Sequence, residues 1–195
     1  EIAGLKPNPK MTGRSLMNVL TSENEGRVDE SRDFVLTGRE RHTHARPNNF
    51  AYPARAIRTD RYLFIWNLKP DRWPAGDPPG YFDIDGSPTK SLLVENQDDP
   101  EIRRYFELAV AKRPEEELFD IQEDPGCIEN LAGDADYAAV QNELQARLKR
   151  LLTEQGDPRM RGSDVFESYP RYSHMRDQFE GFKERGEYNP EYKEK

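Results

Sequence analysis

The residues of this chain best suited to chemistry crowd into one stretch, residues 37–67 (TGRERHTHARPNNFAYPARAIRTDRYLFIWN). It holds His42 and His44, two of the three histidines, together with Arg39, Arg41, Arg46, Arg55, Arg58 and Arg61, against only Glu40 and Asp60. Guanidinium forks match the oxygens of sulfate, phosphate and carboxylate bidentately, so an anionic ligand is one reading of this cationic island in an acidic chain. Arginines of a solvated loop and hairpin are the other reading, and charge alone does not separate them. The order of events does. A polar loop over 38–53 feeds directly into a strand pair, and loops tethered at both ends to rigid strands are where binding groups are displayed. His42, Arg41, Arg39, His44 and Arg46 are therefore the expected substrate-binding residues. Arg55 and Arg58 stand within the strand and are expected to pair with carboxylates of a helix or neighbouring domain.

Other chemistries find less support. His42 and His44 are two residues apart and could chelate a metal only from an extended strand, with no third ligand evident. His174 is assigned to solvent. Cys127, the single cysteine, follows a turn in DPGCIENLA with no histidine nearby, so a half-buried structural thiol is expected rather than a nucleophile. Asp85-Gly86-Ser87-Pro88 is a turn without the Lys-Ser/Thr that completes a phosphate loop.

The elements that must position the cationic loop are read from periodicity. A short helix is predicted over 15–20, and a strand over 33–36 enters the loop. Residues 54–59 and 62–67 alternate as two strands of a hairpin, with Tyr62, Phe64 and Trp66 on one face of the second strand and Leu63 and Ile65 on the other. Residues 68–90 read as a long Pro/Gly-dense loop folded down on a surface, in which Trp73 and Tyr81 could stack on a sugar but are expected to pack against another domain. A helix over 101–112, a strand over 117–121 and a long amphipathic helix over 137–154 follow, the last with Tyr137, Val140, Leu144, Leu148, Leu151 and Leu152 at helical spacing. The fold class is α+β: a small antiparallel sheet of about four strands, packed by one long C-terminal helix, with long loops. The expected divisions are 1–30, a link out of a preceding domain; 31–156, the α+β unit; and 157–195, an extended tail.

Composition sets the bounds. Hydrophobic and charged residues each make up 34% of the 195 residues, and 15 prolines and 13 glycines mark much of the chain as loop, which leaves a small core. A net charge of −8 argues against general nucleic-acid binding. No segment approaches the apolar length of a membrane-spanning helix. The chain opens without Met in what reads as the end of an apolar element, so it is expected to be a piece of a longer polypeptide.

Taken together, the landmarks resemble the C-terminal portion of a type I, formylglycine-dependent sulfatase, with the branch of N-sulfoglucosamine sulfohydrolase (heparan N-sulfatase) most similar. The likeness is carried by EIAGLKPNPKMTGRSLMNVL at 1–20, FAYPARAIRTDRYLFIWNL at 50–68, KRPEEELFDIQEDPGCIENL at 112–131, and Asp157-Pro158-Arg159. The resemblance implies the C-terminal subdomain of an alkaline-phosphatase-like fold, and a parent enzyme that hydrolyses sulfate esters or sulfamates of carbohydrates. Its formylglycine and calcium are expected in an N-terminal catalytic domain, which would be this chain's partner. Cys127 is followed by Ile-Glu-Asn rather than x-Pro-x-Arg, and Ser168-Tyr169-Pro170-Arg171 lacks a spacer before Arg. This piece alone thus has no recognisable nucleophile, metal site or cofactor of its own, and its implied contribution is a recognition loop and structural support. A non-catalytic domain that binds sulfated glycans, or a part of a related phospho- or phosphonohydrolase, are the alternatives. The compartment is unknown from the residues, though the resemblance suggests export. Without a covering domain, the sheet should expose either Tyr62 and Phe64 or Leu63 and Ile65, and a homo-oligomer through that face is expected.

Overall fold

A computed structural model describes residues 1–168 except 12, 43, 44 and 47–49. Four strands, β1 (Val35–Arg39), β2 (Ala54–Arg58), β3 (Tyr62–Asn67) and β4 (Glu116–Asp120), form one sheet in the order β1-β2-β3-β4. Every neighbouring pair is antiparallel. Five α-helices accompany them among the described residues: α1 (Met17–Leu20), α2 (Pro88–Glu95), α3 (Pro100–Ala109), α4 (Ala138–Glu154) and α5 (Val165–Ser168). The α+β class, the four antiparallel strands and the long helix agree with the sequence pattern.

Register explains where the core lies. Leu36, Ile57, Phe64 and Leu118 stand opposite one another across all four strands. Period-two alternation puts this whole row on one face. There it meets Leu144, Leu148 and Leu152 of α4, spaced four residues apart on one stripe. Asp134 accepts a hydrogen bond from the Asp136 amide, capping the 3₁₀ turn Ala135–Tyr137 that leads into α4. At the far edge the Asn130 side chain accepts the Leu118 amide at 2.9 Å, which ties down β4, the edge strand.

The opposite face carries Ala56, Leu63, Ile65 and Phe119. Helices α2 and α3 lie over part of it and leave an open apolar groove of about 730 Å³, lined by Ile65, Phe119, Leu92, Ile102, Tyr105 and Ile128 among others. Of the two faces that the sequence offered for exposure, the Tyr62/Phe64 face is therefore closed by α4, with Phe64 fully buried, and the Ile65 face is the open one.

Three elements differ from the sequence reading. The entering strand starts two residues later and extends to Arg39. Helix α2 occupies the end of what read as loop: Ser87 caps it by accepting the Lys90 amide and Pro88 sits in its first turn, but it buries no residue and so left no apolar stripe to read. Residues 157–168, expected as the start of an extended tail, form a 3₁₀ turn (Pro158–Arg161) and α5. The remainder of the tail, including the short helix expected near 174–184, lies outside the described residues.

The aromatic loop folds inward within this chain. Trp73 and Tyr81 meet edge to face with centroids 5.5 Å apart, and Tyr81 meets Phe106 of α3 in the same way at 5.9 Å. Tyr81 is buried with Ala75 and Val110, so its partner is α3 rather than a sugar or a second domain. Gly76 lets this loop close on residue 45: its φ is +88°, and a Cβ there would stand 2.7 Å from that of Ala45.

Candidate functional site

The cationic loop leaves β1 at Arg39 and returns at β2. Alternation sends its first two residues to opposite faces of the sheet. Glu40 turns to the α4 face, where Gly38 and Arg55 are register partners; the missing side chain at Gly38 gives room to the Arg55 stem, which would lie 3.2 Å from a Cβ there. Arg39 turns to the other face and toward the aromatic loop.

On that second face, one carboxylate gathers two guanidinium groups and an imidazole. The Asp83 side chain is fully buried. The buried Arg46 (1% exposed) reaches it with Nη2 at 2.5 Å, and donates Nε to the Trp73 carbonyl and Nη2 to the Pro74 carbonyl, each at 2.8 Å. Arg39, 41% exposed, donates Nη2 to the same carboxylate at 2.9 Å and to the Pro74 carbonyl at 3.1 Å. His42, 68% exposed, holds Nδ1 at 3.6 Å from the other Asp83 oxygen, an ion-pair separation once the ring is protonated. Tyr52 lies beneath, its ring 5.9 and 5.5 Å from the guanidinium carbons of Arg39 and Arg46. Burial, and then the negative charge of Glu117, push the Tyr52 phenol up to about 12, so it stays neutral.

The expected site residues thus divide. Arg39 and His42 are brought together at Asp83 with much of their surface outward. Arg46 points inward and holds the loop against the carbonyls of Trp73 and Pro74. Arg41 is half-buried. His44 lies outside the described residues. Arg55 is buried on the α4 face between Glu40 and Asp157, at 2.6 Å from each; the pairing is structural, as expected, but the partners stand in the loop and at the start of a 3₁₀ turn rather than on a helix or another domain. Asp83 was missed, and the only signal for it was its place in a loop with many aromatics. Chemically, the arrangement offers an exposed guanidinium edge and an imidazole, held from behind, to an anion or a polyhydroxyl group.

No group of three or more His, Cys, Asp or Glu side chains placed to hold a metal ion occurs among the described residues. No described helix is long and apolar enough to cross a membrane. Cys127 sits at a left-handed turn, φ +52°, and burial, followed by the charge of Asp124, pushes its thiol up. Alkylation by iodoacetamide at pH 7.5 is accordingly expected to run several-fold slower than for a free cysteine, as followed by intact mass. A rate at or above that of free cysteine would count against this placement.

Comparison with known proteins points one way. No family model matches the chain. An ulvan-active sulfatase of Formosa agariphila is 34% identical over 111 residues, which cover 53% of this chain and 17% of the relative. A second ulvan-active sulfatase of the same organism is 27% identical over 157 residues, covering 80% of this chain and 27% of the relative. A solved structure of a 2-O GAG sulfatase superposes with a TM-score of 0.47 at 20% identity, over 90% of this chain and 26% of that one. The chain spans less than a third of the length of each. In sequence it is similar to a portion of sulfatases.

Proposed function

We propose that this chain is the C-terminal portion of a sulfatase that removes sulfate from a carbohydrate, and that its 39–46 loop contacts the substrate. The observation that carries the proposal is the 34% identity to an ulvan-active sulfatase over more than half of the chain. The four-stranded antiparallel sheet with its long helix, read as the C-terminal subdomain of an alkaline-phosphatase-like enzyme, is consistent with it. In this reading the nucleophile is a formylglycine and the metal is calcium, and both belong to a preceding catalytic domain. The residues described here do not fit either group: Cys127 lacks the x-Pro-x-Arg sequence, and no carboxylate cluster is placed for a cation. The branch of N-sulfoglucosamine sulfohydrolase is the finer assignment, resting on the sequence landmarks alone.

The geometry of the loop supports this role. Arg39 is anchored through one nitrogen to Asp83, which fixes the direction of a charged fork that is still partly open to solvent. His42 stands beside it on the same carboxylate. Together they would hold a sulfate or hydroxyl oxygen of the sugar before and during the reaction. Such contacts are made equally in ground and transition states, so their loss should show mainly in KM. In the whole enzyme, Arg39→Ala and His42→Ala are each expected to raise KM for a sulfated monosaccharide about tenfold, with kcat within about threefold, as for loss of a charge-assisted hydrogen bond. Unchanged KM in both variants would remove the loop from the substrate site.

A further inference from the structure

We propose that residues 157–168 form a strap that clamps both ends of the cationic loop, with Arg159 and Glu167 as positioning residues. The inference rests on reading the loop as the ligand-contacting segment, and it adds what sets the loop's position.

The first end is held at Glu40. Its Oε2 accepts Arg159 Nη2 at 2.6 Å and its Oε1 accepts Arg159 Nε at 3.1 Å, a two-point fork. The same Oε1 accepts Arg55 Nη2 at 2.6 Å. Asp157, at the start of the strap, accepts Arg55 Nε at 2.6 Å and the backbone amide of Arg159 at 2.9 Å. Glu40 is thus fixed from the strap directly and through Arg55.

The second end is held at Ala51. Arg72 Nη1 donates to the Ala51 carbonyl and to Glu167 Oε1, each at 2.7 Å. Arg72 also lies over the Phe50 ring, 4.4 Å from its centre. Glu167 stands 3.6 Å from Arg159, which joins the two clamps. Arg159 is further paired with Asp164, and Phe166 lies under both Arg55 and Arg159. The Tyr52 amide closes the base of the loop by donating to the Glu40 carbonyl at 2.8 Å.

This is more than a tail packing on a sheet. Met160 is the strap's one hydrophobic side chain packed against the main core, which α4 otherwise covers, and every polar strap contact just named ends on a loop terminus or on an arginine that touches one. Three arginines (Arg55, Arg72 and Arg159) meet four carboxylates (Glu40, Asp157, Asp164 and Glu167), and such a network fixes geometry as long as every member is satisfied. Loss of Arg159 or Arg72, which stand outside the sheet, should free the loop before it loosens the core.

Hydrogen exchange on the full 195-residue chain reads this residue by residue. In Arg159→Met, the Tyr52 amide and the Asp77 amide, which donates to the Ala45 carbonyl within the loop, are expected to exchange at least about tenfold faster, with the Phe64 and Leu118 amides unchanged. Arg159→Lys keeps the charge and should restore part of the protection. Should Arg159→Met loosen the core as well, Arg72→Met, which cuts only the second clamp, is expected to speed exchange at Tyr52 and Leu68 alone. Unchanged exchange at Tyr52 in a folded variant would overturn the strap. Titration with glucose 6-sulfate separates this from the functional reading: loosened amides in a chain whose wild type, within the whole enzyme, ignores the sugar would keep the strap and discard the ligand role.

Discussion

Leu148→Ala is expected to lower the unfolding free energy by about 3–5 kcal/mol, the upper range for a leucine cut back in a closed core. Leu148 is fully buried and sits at the centre of the α4 stripe, against the row of Ile57, Phe64 and Leu118. That row comes from three different strands and is pinned by register, so the sheet cannot close over the lost volume without breaking strand pairs. Urea unfolding followed by circular dichroism should show the midpoint falling with the slope unchanged. The matched control is Leu20→Ala, at an exposed position, expected within about 0.5 kcal/mol of wild type. Equal effects at the two positions would mean that α4 does not cover this face.

Arg55→Met should be nearly as costly, about 3–5 kcal/mol, for a different reason. The arginine is buried between Glu40 and Asp157, and its removal leaves two carboxylates facing one another with less compensation. Burial pushes the Asp157 carboxyl up, but the hydrogen bond from Arg55, the Arg159 amide and the charges of both arginines outweigh it and hold the group below the usual carboxylate range. A carboxyl whose folded pKa lies below its unfolded value contributes stability that is full above the unfolded value, about 3.9, and is lost as pH falls toward the folded one. Wild type should therefore lose this increment as the pH is taken from about 5 to below 4. Arg55→Met, which no longer depresses the group to the same extent, should show a flatter profile over that interval. Parallel profiles would show that Arg55 does not hold Asp157.

The sheet and its main helix were legible in the sequence because both obey a single period. Tyr62, Phe64 and Trp66 alternate with Leu63 and Ile65, and Leu144, Leu148 and Leu152 recur every four residues, so one face and one stripe could be read directly. Helix α2 was not legible, since it rests on a Ser-Pro start and buries nothing. The loop was found by its charge, and Arg55 was rightly set aside from it as a structural pair. The division of labour within the loop was hidden. Arg46 and Arg39 are indistinguishable by composition, and only Asp83, 44 residues beyond Arg39, turns one inward and leaves the other at the surface. Glu40 read as a lone acid among cations, while its partner Arg159 lies 119 residues away in what read as tail. Contacts of that separation leave no local pattern.

The account stands most directly on one measurement: product release by the polypeptide proposed to carry this chain, given the same sugar as its 6-sulfate and its 6-phosphate. Release of inorganic sulfate, with phosphate untouched, is the expected result, and Arg39→Ala should weaken it through KM. Release of phosphate in preference to sulfate, or sulfate release to which the 39–46 loop makes no difference, would contradict the account.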